Sequence, residues 1–124
     1  SLFQRGRMDL DQGRLTAARQ QFEGAYAGHP SDEYALYVAW ARFLTADGTA
    51  VAEHREAVEL RMMDCLRADR RMAFAHYIAG RLALIDENLE AAEKSFKRAV
   101  SFDSNLTDAA RNLRFVQQRL SAKK

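Results

Sequence analysis

The chain has 124 residues, of which 48% are apolar and 29% charged, with a formal net charge of +2. That balance excludes an intrinsically disordered chain, and it gives no strong drive toward nucleic acid or an anionic membrane. No apolar run approaches the ~20 residues that span a bilayer, and the single cysteine, Cys65, excludes an internal disulfide and fits a reducing, cytoplasmic setting.

Helix formers dominate, one proline (Pro30) interrupts the chain, and β-branched runs are absent, so an all-α fold is expected. Apolar periodicity places helices near residues 2–11, 15–27, 32–46, 50–68, 72–86, 89–102 and 107–122. Gly13, Gly28 and Gly48 are the expected C-terminal stops. Ser31 or Asp32 after Pro30, Thr49 and Asn105 are the expected N-caps. The first helix begins almost at Ser1 and no Met opens the chain, so a fragment of a longer protein is expected.

These elements repeat. At an offset of 74, Gly6 falls on Gly80, Arg7 on Arg81, Leu10 on Leu84 and Leu15 on Leu89. Ala17, Ala18, Phe22 and Ala25 then fall on Ala91, Ala92, Phe96 and Ala99. A third copy lies between, with Tyr37, Val38 and Ala39 in register with Tyr77, Ile78 and Ala79, and Met62 and Cys65 in register with Phe96 and Ala99. This middle copy carries about six extra residues, expected near Thr45 to Ala52, where Asp47-Gly48-Thr49 reads as a turn.

A unit of about 34 residues with a small residue in its first helix and Ala-x3-Phe-x2-Ala in its second resembles the tetratricopeptide repeat (TPR). The pattern reads Ala18-x3-Phe22-x2-Ala25, with Pro30 following, and recurs as Ala92-x3-Phe96-x2-Ala99. The middle copy reads Val58-x3-Met62-x2-Cys65 and has Trp40 where the others have glycine, which must push its helices apart or find a compensating gap. The resemblance covers nearly the whole chain and implies one domain over 1–124. That domain is a right-handed α-solenoid of repeats 1–32, 33–72 and 73–106, closed by a capping helix over 107–122. The cap would turn Ala110, Leu113, Val116 and Leu120 inward and Arg111, Arg114, Arg119, Lys123 and Lys124 to water.

Little catalytic chemistry is visible. His29, His54 and His76 lie in different repeats without metal-ligand spacing, and no nucleophile motif or phosphate loop appears. Cys65 falls where its counterparts are alanine and reads as a packing residue. Glu53, Glu56 and Glu59 read as a solvated face, and Arg67, Arg70 and Arg71 as cations near a helix C-terminus. No enzyme, cofactor or nucleic-acid partner is expected.

The resemblance implies instead a protein–protein interaction scaffold or adaptor, whose first helices line a groove for a peptide or helix. Projected onto this chain, the groove takes Phe3, Gln4 and Arg7, then Tyr34, Tyr37, Val38 and Ala41, then Phe74, Tyr77, Ile78 and Arg81. Tyrosine hydroxyls favour partly wet positions, and Phe74 leans more to the core than the tyrosines do. The carboxylate clamp by which some of these repeats hold chaperone tails is not expected, because Phe3, Val38 and Ile78 stand where polar clamp residues belong. Self-association as a homo-oligomer is the alternative, and a co-chaperone or secretion-adaptor role fits either.

Overall fold

The computed structural model describes residues 1–123, and Lys124 of the expected basic face lies outside them. Seven helices follow in order: α1 Leu2–Asp11, α2 Leu15–Gly28, α3 Asp32–Thr45, α4 Ala50–Ala68, α5 Ala73–Ile85, α6 Leu89–Phe102 and α7 Thr107–Ala122. No strand occurs among the described residues, so the fold is all-α. The chain divides into two compact units, Ser1–Cys65 and Leu66–Lys124.

In the first unit α2 packs between α1 and α3. Its core is Ala18, Phe22, Leu36, Trp40, Ala41 and Val58, all essentially without solvent contact. The crossing of α1 and α2 is set by one contact. A Cβ placed on Gly6 would lie 2.5 Å from Cε1 of Phe22, closer than two such carbons can sit. The glycine therefore makes the room that the phenylalanine ring fills.

In the second unit α6 packs between α5 and α7. The same contact recurs, with a Cβ on Gly80 falling 2.5 Å from Cε1 of Phe96. Ala75, Ile78, Ala92, Phe96, Ala99, Ala109 and Val116 complete that core with no solvent exposure. On α7 the face carrying Ala109 and Val116 is buried, while Arg111, Arg114 and Arg119 are exposed. One repeat length after Gly80 stands Arg114.

The two hairpins also end their first helices alike. After α1, the Gly13 amide donates to Leu10 O and the Arg14 amide to Asp9 O. After α5, Glu87 donates to Leu84 O and Asn88 to Ala83 O. Both are Schellman closures, which require a left-handed residue. Gly13 takes it at φ +76° without cost, while Glu87 is forced to φ +58°. The next helix starts differently in the two. Arg14 is tied back to the Asp9 carboxylate by Nε at 3.0 Å and Nη2 at 2.9 Å. Asn88 instead caps α6 by accepting from the Ala91 amide at 3.1 Å.

Ser31 caps α3 as expected, its hydroxyl accepting from the Tyr34 amide at 3.1 Å. The remaining expected stops need correction. Gly28 is the last helical residue of α2, and His29 follows it as the C-cap. Gly48 sits inside the α3–α4 turn at φ +58°, and α3 has already ended at Thr45, whose hydroxyl donates to Ala41 O. Asn105 is not the cap of α7. Leu106 holds that position without a side-chain bond, and the Asn105 amide is turned toward the Asp103 carboxylate at 2.9 Å.

The extra residues of the middle copy go into helix rather than loop. The α3–α4 connection stays short, whereas α4 runs 19 residues against 14 in α2 and in α6. Trp40 is fully buried and Met62 half-buried, so the bulk of the Gly–Phe pair moves from the second helix to the first.

Two stability outcomes follow from these geometries. Gly80→Leu should cost about 1–3 kcal/mol by overpacking. Gly28→Ala, with nothing within 4 Å and no positive φ, should gain up to about 1 kcal/mol, and paired chemical denaturation curves check the contrast. Glu87→Gly should relieve the left-handed residue and raise the melting temperature by about 3–5 °C, read by circular dichroism.

Candidate functional site

On α1, Phe3 and Arg7 are one helical turn apart and share a face. Phe3 is half-buried and stacks on Tyr34 of α3 at 4.5 Å between ring centroids, 24° from parallel. Tyr37 meets Phe3 edge-on at 4.8 Å, and Phe22 lies below both, 5.9 Å from Phe3 and 5.1 Å from Tyr37. Each such contact adds about 0.5–1.5 kcal/mol beyond burial alone. The exposed guanidinium of Arg7 lies 5.8 Å from the Phe3 ring centroid.

The structure thus brings Phe3, Arg7, Tyr34 and Tyr37 together in the first unit. Tyr34 remains half-exposed with His29 at its edge, while Tyr37 is only 5% exposed and Val38 and Ala41 are buried. Gln4 is exposed.

In the second unit Phe74, Tyr77, Ile78 and Arg81 follow the turns of α5. Phe74, Tyr77 and Ile78 are buried. Arg81 is half-buried, donates from Nη1 to the Tyr77 hydroxyl at 2.6 Å and lies 5.7 Å from that ring's centroid. Of the nine expected groove residues, Phe3, Arg7, Tyr34 and Arg81 therefore offer surface, and the other five fill the hairpins that carry them.

Sequence reasoning missed a second feature of the first unit. Helices α2, α3 and α4 line an open pocket of about 380 Å³. Ala35, Val38 and Ala39 of α3 line it with Ala57 of α4, and Tyr26 and Leu60 form its walls. The Glu23–Arg42 ion pair (2.8 Å), Arg61 and His54 stand around it. No residue pattern signals it, since the 41% and 53% exposure of Tyr26 and Leu60 is visible only in the structure.

The other candidates are scattered. His76 Nε2 sits 2.8 Å from Arg70 O, and its ring lies against Phe102. No group of three or more His, Cys, Asp or Glu able to hold a metal occurs among the described residues. Arg67, Arg70 and Arg71 are exposed, as are Glu53, Glu56 and Glu59. Among the described residues no helix is long and apolar enough to cross a membrane. No protein-family model matches the chain, and no curated protein matches it.

Cys65 is buried near the end of α4, and its thiol donates to Asp32 O at 3.2 Å. Burial first, then the Asp32, Glu33 and Asp64 carboxylates, push its pKa up from 9.0 to about 11. The sign is that of an acid stabilised in its neutral form: the thiol favours the fold below about pH 9 and loses that effect as pH rises toward 11. At pH 8 a disulfide exchange reagent should label the native protein at least about 100-fold more slowly than the urea-unfolded chain. Equal rates would show that the thiol is open to solvent.

Proposed function

We propose that this chain is a TPR-type array of three helical hairpins capped by α7, and that it binds a peptide or helix of a protein partner on the face of its first helices. The repeated Gly–Phe crossing supports the array, because one sequence pattern performs one packing task twice, with a Cβ on the glycine falling 2.5 Å from the ring carbon in each case. The paired Schellman closures point the same way, and Arg114 in the position of Gly80 suits a terminal helix.

The observation that carries binding is the Phe3–Tyr34 stack beside Arg7. Two rigid, half-exposed rings offer apolar area at low entropic cost, and the exposed guanidinium next to them suits a carboxylate. The ligand is accordingly a segment with an apolar anchor and a nearby acidic group. Self-association through the exposed Ile85 and Phe115 of the second unit is the second reading, since 53% and 46% exposure leaves both side chains open to cover.

Tyr37 and Tyr77 are unsuitable probes, because truncating a buried ring costs about 3–5 kcal/mol and tests the fold instead. Arg7→Ala with Tyr34→Ala tests the surface. Among peptides enriched from a random display library, one class should bind this double variant at least about tenfold more weakly, with helicity unchanged. Undiminished binding of every enriched class would remove the assignment to this face. Absence of enrichment together with a concentration-dependent dimer in light scattering would favour self-association.

A further inference from the structure

The pocket among α2, α3 and α4 lies within one compact unit and does not use Phe3, Arg7 or Tyr34. We propose that it is a second, independent docking site, and that its occupant is an acidic peptide segment that inserts one bulky apolar side chain.

The shape argues for a side chain. The floor is empty because its residues are small: Ala35 and Ala39 on one helix face Ala57 on another. A volume of about 380 Å³ is at the lower end of what a small organic group fills. The walls argue for an apolar group. Tyr26 and Leu60 are exposed side by side with this space, where water gains nothing from either except at the tyrosine hydroxyl.

The rim argues for the charge. Arg42 and Arg61 stand over the pocket against one lining carboxylate, Glu23. Their present partners are part-exposed, Glu23 at 37% and Asp64 at 25%. Arg42 meets Glu23 at 2.8 Å with both side chains well exposed, and Arg61 meets Asp64 at only 3.5 Å. A ligand carboxylate could take either guanidinium with little loss to the protein, whereas a ligand cation would meet two like charges. The corresponding positions of α5 read Ala75, Ile78, Ala79 and Leu82, so Arg42 stands where the other two copies have Met8 and Leu82. The charge at this lip is a departure specific to the middle hairpin.

The test separates this site from the α1–α3 face. A random display library is panned on the unaltered protein, and the enriched peptides are titrated against three variants. Ala57→Leu fills the pocket, Arg42→Gln with Arg61→Gln neutralises its rim, and Arg7→Ala with Tyr34→Ala alters only the other face. The expected result is a peptide class with an apolar residue beside Asp or Glu. It binds Ala57→Leu and the double glutamine variant at least tenfold more weakly, binds the Arg7/Tyr34 variant unchanged, and loses its preference when its acids become amides. Binding indifferent to Ala57→Leu and to the glutamines overturns the proposal, even where the Arg7/Tyr34 variant shows a loss. Equal binding of acidic and amide peptides also overturns it. A dimer that dissociates on filling the pocket overturns it in favour of a second copy of the chain. If Ala57→Leu fails to fold, the double glutamine variant, altered only at the surface, decides alone.

Discussion

The contact between a glycine on the first helix of a hairpin and a phenylalanine on the second governs most of what is seen. It fixes more than the crossing. Three residues before each glycine stands an aromatic, Phe3 or Tyr77, whose ring lies against the buried phenylalanine at 5.9 or 6.0 Å. One residue after each glycine stands an arginine, Arg7 or Arg81, four positions beyond that aromatic and over its ring at 5.8 or 5.7 Å. Aromatic-x2-Gly-Arg is thus one physical unit. The glycine admits the phenylalanine, the phenylalanine supports the aromatic, and the aromatic carries the cation. The aromatic and its cation are thus held by the same contact that holds the hairpin.

The middle hairpin solves its packing another way. Trp40 replaces the glycine, Met62 the phenylalanine and fully buried Ala41 the arginine. Its first helix therefore lacks the cation and supplies aromatics, Tyr34 and Tyr37, to the cluster around Phe3. On the side facing α2 and α4 it presents small residues and leaves a cavity. A volume exchange of this kind keeps a core filled overall while moving where space is left over. The adaptable methionine suits such a site better than a second rigid ring would.

The helices were legible in the sequence because apolar periodicity and turn residues agree along nearly the whole chain. The glycines were legible too, since no other reason would place Gly6 and Gly80 mid-helix at one repeat offset. The cap of α7 was not, because Asn105 reads as a capping side chain while the structure gives that position to Leu106, which has none to offer. Nor was the exposure of the aromatics. Tyr34 and Tyr37 share a helix face and a hydroxyl, and only the neighbours of each decide that one is half-exposed and the other buried. The pocket is hardest to foresee, because it consists of volume that alanines fail to fill. An alanine reads identically whether its neighbours close over it, as at Ala18, or stand back, as at Ala57.

One hydroxyl separates the two arginines that the repeat makes equivalent. Tyr77 accepts a hydrogen bond from Arg81 at 2.6 Å, whereas Phe3 offers Arg7 only the face of its ring. Both guanidiniums are positioned by their aromatic, but only Arg81 gives up a donor to it. A ligand carboxylate at Arg81 must share or displace that short bond, and the Tyr77 hydroxyl would then need another donor or water. Arg7 is exposed, with its guanidinium 5.8 Å from the Phe3 ring centroid, and Phe3 has no hydroxyl for a carboxylate to displace. Arg7 is therefore the more open of the two guanidiniums, although the sequence writes the same arginine at both positions.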